Sequence, residues 1–249
     1  MFVTVQAAAT LEASDLRVTK VEVAGLQVTG KHSHLSLSAS KVHAHLSPRL
    51  EKYVPDGVIV VLGARAVLKK CHLSGCGDGL VAKHERSLLE AEDCTLQQNV
   101  QSGAVAGHAA KLVVRGCHSS ENGLYGFHAK SKATMTASDC SASNCEDTGF
   151  AVVAGAQAVL KNCSASKNGE HGVIAGGEGS RLEVEGCTLQ QNVSCGAIAG
   201  DAAELMARDC HSTGSGKCGF AAQSKATLTA TDCSASGCED TGFAVFTGT

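Results

Sequence analysis

The sequence predicts an all-β solenoid of about ten coils of about 23 residues. Three observations carry that expectation: a cysteine at a fixed interval, a glycine series in step with it, and hydrophobic patterning of period two around both. The cysteines are Cys71, Cys94, Cys117, Cys140, Cys163, Cys187, Cys210 and Cys233, spaced by 23 residues except for one step of 24 after Cys163. The glycines are Gly57, Gly79, Gly103, Gly126, Gly149, Gly172, Gly196, Gly219 and Gly242. A period in the twenties held along most of the chain makes each repeat one coil, able to bury its apolar face only against its neighbours.

Each coil reads as three short strands joined by three bends. Before the cysteine, apolar positions such as Leu89 and Ala91, or Leu182 and Val184, alternate with polar ones such as Glu92 and Glu185. That alternation describes a strand with one buried face. The residue just before the cysteine is Lys70, Asp93, Gly116, Asp139, Asn162, Gly186, Asp209 or Asp232, mostly types that tolerate left-handed backbone and so mark a bend. Five residues after the cysteine stand Cys76, Asn99, Asn122, Cys145, Asn168, Asn192, Ser215 and Cys238. Small polar side chains at a repeated turn can bond backbone groups of the adjoining coil. A further strand follows each ladder glycine, as in Gly172-Val173-Ile174-Ala175.

Over residues 55–249 the 23-residue period, the asparagine/cysteine turn column and the glycine followed by aliphatic residues resemble the right-handed parallel β-helix of the pectate-lyase-like superfamily. Leucine-rich repeats have a similar period, but their leucine-dense consensus is missing. The resemblance implies a right-handed parallel β-helix with an inward cysteine ladder and an Asn/Cys turn ladder. It also implies polysaccharide lyases, hydrolases, epimerases and esterases as relatives, which use an outward sheet within a loop-walled groove. The bends here are short and none of those catalytic motifs matches, so the chain reads as a short-coil, non-catalytic-looking member.

The whole chain, 1–249, reads as one domain. Residues 1–54 are degenerate coils, with Leu16 and Val42 expected in the cysteine column and a loop near residues 46–56. Residues 55–249 are regular coils. Within them Cys94 to Val100 recurs 93 residues later as Cys187 to Val193, and Cys140 to Val152 as Cys233 to Val245, so four coils were duplicated as a block.

Composition narrows the uses. A net charge of −3, no Trp and two Tyr give no footprint for nucleic acid. No apolar run approaches the roughly 20 residues that span a bilayer. Thirteen cysteines without a recognisable signal peptide point to a reducing, cytoplasmic setting with most thiols reduced. Cys195 and Cys218, each directly before a ladder glycine, are the pair expected to be exposed and open to oxidation.

Three groups are candidate sites. Tyr125, Asp147, Glu170 and His171 fall in the bends before the ladder glycines of three successive coils, an arrangement suited to general acid–base work. His43, His45 and His72 are expected to cluster on adjoining coils, where three imidazoles could hold Zn or Cu. Ile59, Val81, Val105, Ile174 and Ile198 occupy the second position after the glycine and are expected to form an outward apolar stripe. That stripe makes a non-enzymatic rod, self-associating without a cofactor, the first functional expectation. A carbohydrate-binding or carbohydrate-modifying protein with a polysaccharide partner is the alternative that the resemblance implies, and a metal-binding rod is the third.

Overall fold

The computed structural model describes residues 3–21, 24–44 and 54–246. Every strand pair among them is parallel, and the strands form three long sheets. The first sheet runs over eleven strands from Val3–Val5 to Thr241–Phe246. The second runs over ten, from Thr10–Ser14 to Thr227–Thr231, and the third over ten, from Arg17–Val21 to Ser234–Ser236. The chain visits the sheets in that order once per coil, so it is a parallel β-helix of about ten coils.

The three inner faces share one narrow core. Leu89, Leu112, Leu182 and Leu205 enter it from the second sheet and Leu73, Leu96 and Leu189 from the third, all buried. Phe127 and Phe150 come from the first sheet and stack on neighbouring coils with centroids 4.9 Å apart and planes at 13°. In-register aromatic pairs of this kind add to area burial by up to about 1 kcal/mol.

Two bends per coil are built from left-handed backbone. Each residue before the column cysteine, from Lys70 to Asp232, has φ between 51° and 62°. A second left-handed column precedes the asparagine column and includes Gln98, Glu121, Lys167 and Gln191, at φ 52° to 56°. A non-glycine residue pays on the order of 1 kcal/mol for that conformation. The bonds that stack the bends offset it, such as Gln98 N–H to Ser120 O at 3.1 Å.

The ladder glycines answer a different need, because none of them has a positive φ. A Cβ added at Gly79, Gly103, Gly126 or Gly172 would lie 2.5–2.7 Å from the carbonyl oxygen of the ladder glycine on the next coil. The coils approach so closely here that only hydrogen fits. The turn column works as expected from its side chains. Asn122 Oδ1 accepts from the backbone and side-chain N–H groups of Asn99, both at 3.0 Å. Asn192 does the same for Asn168 at 3.2 and 2.9 Å.

From Cys71 to Cys210 the column cysteines are buried, and Cys233 is partly covered. All thirteen cysteines are free thiols. The Cys71 thiol donates to Lys69 O at 3.3 Å, and the Cys71 amide reaches the Cys94 sulfur at 3.4 Å. Leu16 holds the equivalent place in its coil, but Val42 does not. Val42 pairs with Leu73, and the column residue is Ser40. Ser40 reproduces both bonds of a column thiol, donating to Ser38 O at 2.8 Å and accepting from Leu16 N at 3.2 Å. Register follows hydrogen bonding here rather than apolarity. The step across the long loop is therefore 31 residues, and that loop lies mostly outside the described residues.

Candidate functional site

The site-bearing segments are the three-residue bends between the asparagine column and the ladder glycine. Stacking bonds sort them into two rows. The first holds Leu124, Asp147, Glu170, Ser194, Lys217 and Asp240, joined by amide-to-carbonyl bonds of 2.7–3.0 Å. The second holds Tyr125, Thr148, His171, Cys195 and Cys218, each accepting from the ladder glycine one coil earlier. Asp147 and Tyr125 thus sit in different rows on adjoining coils. Thr148 Oγ1 donates to Asp147 Oδ1 at 2.8 Å, which holds that carboxylate in place. Burial and the neighbouring Asp147 carboxylate, with Glu170 beyond, raise the Tyr125 phenol above its ordinary pKa, so it is a protonated donor.

His171 is largely buried. Its Nδ1 accepts from the Cys195 amide at 3.3 Å, and its Nε2 lies 3.8 Å from Glu170 Oε2. Burial lowers its pKa, opposed by Asp147 and reinforced by Lys217. Glu170 and His171 line a cleft of ≈ 560 Å³ together with Cys195, Ile198, Lys217, Cys218 and Asp240. The structure therefore brings two of the four expected acid–base residues into one concavity and leaves Tyr125 and Asp147 on the same ridge, towards the N-terminus.

His128 is a residue the acid–base reading missed. It occupies the outward row of the first sheet between Val105 and Ala151, with its ring centroid 4.4 Å from that of Tyr125. It is 8% exposed, and its Nε2 has no hydrogen-bond partner. Burial, helped by Lys130, depresses its pKa to about 4. The signal in the sequence was an imidazole in a row that from Ile59 to Ala244 is otherwise filled by aliphatic residues.

The five stripe residues share that outward row, in register from Ile59 through Val81 and Val105 to Ile174 and Ile198. Val81, Val105 and Ile198 are buried, while Ile59 and Ile174 are partly covered. Ile198 packs with Cys195, Cys218 and Ala221 in a small cluster outside the main core. Cys195 and Cys218, expected to be exposed, are buried in it because their side chains lean over the aliphatic row.

Of the histidine trio, His45 lies outside the described residues. His43 is opposite Ser74 rather than His72, and its Nδ1 shares a hydrogen bond with the Ser74 hydroxyl at 3.0 Å. His72 pairs with Lys41, and burial and that lysine lower its pKa. Among the described residues no group of three metal-ligating side chains is gathered.

The fold agrees with what known proteins show. The family described as the right-handed β-helix region matches residues 2–134 and 79–249, and the chain belongs to it. Its fold is that of the pectate-lyase-like superfamily. No curated protein matches it in sequence. Among solved structures it is similar to the A-module of a mannuronan C-5 epimerase from Azotobacter vinelandii, with TM-score 0.65 and 10% identity over 97% of this chain and 91% of that one. It is similar to a pectate lyase, with TM-score 0.62 and 13% identity over 91% and 79%. A periplasmic alginate epimerase gives TM-score 0.52 and 9% identity over 98% and 79%.

Proposed function

We propose that this β-helix binds a polysaccharide along the ridge of bends from Tyr125 to Asp240, with the cleft at Glu170 and His171 as the centre of the site. The observation that carries the reading is the coincidence of that cleft with a neutral imidazole whose Nδ1 is already engaged. His171 is left presenting Nε2–H as a hydrogen-bond donor in the cleft, with the Glu170 carboxylate beside it as the group able to accept a proton. Tyr125, held protonated beside Asp147, supplies a second proton donor on the same ridge. Lys217 adds a cation and Asp240 an acceptor, the mixed set that a sugar carrying hydroxyl and carboxylate groups would meet. The similar structures named for mannuronan, pectate and alginate chemistry favour a polysaccharide over a non-enzymatic scaffold.

A glycan array, run beside turnover assays on uronate polysaccharides, tests the reading. A specific hit on a uronate-containing glycan, weakened at least tenfold by His171→Ala or Lys217→Ala, is the expected result. Uronate binding that both variants leave untouched would remove the cleft from the site.

Self-association of rods is a second reading. Val100, Leu124 and Val193, on the bends beside the aliphatic row, are 51%, 40% and 64% exposed. Light scattering on the Val100→Asp/Val193→Asp variant tests it, because a self-associating rod would fall to the mass of one chain.

A further inference from the structure

The outward face of the third sheet differs in chemistry from the rest of the rod. From the strand His72–Ser74 to the strand Ser234–Ser236, its outward positions are Ser, Thr, Gln or His, with no Asp, Glu, Lys or Arg. On the neighbouring second sheet six of the eight strands of the same coils carry charges, several closed into pairs such as Arg65–Glu90 at 2.7 Å and Lys161–Glu185 at 2.8 Å, and only Thr134–Ser138 and Thr227–Thr231 carry none. A solvated strand face has no need to avoid charge along eight successive coils. It has that need when its ligand is neutral, because a charge desolvated against an uncharged partner goes uncompensated.

The block duplication sharpens the point. Thr95, Gln97 and His118 recur as Thr188, Gln190 and His211, on the same face and pointing the same way along parallel strands. The local bonding recurs too: His118 Nδ1 shares a 2.7 Å hydrogen bond with the Ser141 hydroxyl, and His211 shares one of 2.7 Å with Ser234. Each bond fixes its imidazole and leaves the exposed ring edge to face outward. The two patches are four coils apart, about 19 Å at the spacing of paired strands. Two identical, co-oriented patches on one rigid rod suit a ligand that is itself a directional repeat.

We propose that this face is a second binding site, distinct from the cleft, and that it takes an uncharged polysaccharide lying across the coils. Hydroxyl, amide and imidazole groups that both donate and accept match the hydroxyls of neutral sugars. The two patches act together, so a polymer long enough to reach both is held far more tightly than a short oligosaccharide that meets one.

Affinity electrophoresis of the whole chain through gels containing a soluble mixed-linkage β-glucan, a galactomannan or polygalacturonate tests this. Retardation by one of the neutral polymers is expected, weakened at least tenfold in Thr95→Asp/Thr188→Asp and unchanged in Thr134→Asp on the second sheet. A tetrasaccharide of the same glucan should compete at least tenfold more weakly, per sugar, than the polymer. Gln97→Lys/Gln190→Lys is the companion pair should the first variant fold poorly by circular dichroism. No retardation by either neutral polymer, or retardation that survives both double variants, overturns the proposal. Retardation by polygalacturonate alone overturns it as well. His171→Ala must leave neutral-polymer retardation intact, so failure at the cleft and failure at this face are separate results.

Discussion

The backbone amide of Cys195 donates to Nδ1 of His171 across adjoining coils at 3.3 Å. In the neutral ring this places the proton on Nε2, which faces the Glu170 carboxylate in the cleft. A ladder bond of the fold thus selects the tautomer of a candidate acid–base group.

That relationship sets a pH dependence. Burial holds His171 below the ordinary 6.5, so it stays neutral through the neutral range and charges only in acid. Any binding or turnover that uses its neutral form should be constant near pH 7 and fall in acid, with a midpoint below 6.5. A pH profile of the wild type beside His171→Gln checks this. An acid limb that the glutamine variant keeps would assign it to another group.

His128 predicts a stability effect with a definite sign. Its folded pKa of about 4 lies below the unfolded value of 6.5, so the unfolded chain binds the proton more readily. Stability from this residue is complete above pH 6.5 and is lost as the pH falls towards 4, by about 3 kcal/mol. His128→Val removes both the titration and the buried Nε2 that lacks a partner. Urea denaturation at pH 7 and pH 4.5 should show a smaller pH difference for the variant, with stability at pH 7 equal to or above wild type.

The glycine ladder predicts a contrast between two substitutions of one type. At Gly126 an added Cβ would sit 2.6 Å from Gly149 O and 2.7 Å from the Ala142 Cβ, both held by the stack. Gly126→Ala should cost about 3 kcal/mol or more. At Gly107 the nearest atom would be Lys130 Cγ at 3.7 Å, an ordinary contact. Gly107→Ala should be neutral or stabilising by roughly 0.5 kcal/mol, through the unfolded chain. Thermal melts of the two variants decide it.

Asn122 carries four bonds within the stack: two accepted from Asn99, and two donated, to Leu96 O at 3.2 Å and Ser119 Oγ at 2.9 Å. Asn122→Ala leaves the Asn99 amide buried without an acceptor, a loss of about 2–4 kcal/mol. Asn122→Cys should recover part of it, because cysteine already fills this column at Cys76 and Cys145 and a buried thiol of this chain can accept from a backbone amide, as Cys94 does from Cys71 at 3.4 Å. Chemical denaturation of the pair tests whether the column is chosen for its acceptor. Equal losses in both variants would argue against that choice.

The fold was legible because its determinants repeat. Each column tolerates few residue types, so bends at Asp93 or Asp139 and stacked amides at Asn99 or Asn168 announced themselves many times over. Legibility failed where the pattern thinned to single cases. Val42 looked like the apolar occupant of a column whose true requirement is a small group that can donate to the carbonyl two residues back, which Ser40 meets. Gln98, Glu121 and Lys167 gave no sign of their left-handed backbone, because the energy that holds them there comes from adjoining coils.

For the site, the sequence placed Tyr125, Asp147, Glu170 and His171 on one ridge, since bend positions follow directly from the period. Which of them share a cleft was decided by the side chains leaning between coils. Those contacts also covered Cys195 and Cys218 and left His128 buried beside Tyr125. By itself, then, the sequence determined the solenoid, its columns and the identity of its faces, because each depends on residue type at a fixed interval. Only the tertiary structure decided register in the irregular first coils, the depth of the outward row and the pairing of titratable groups. These depend on distances between coils, and a periodic sequence states the order of its residues without stating how closely their side chains meet.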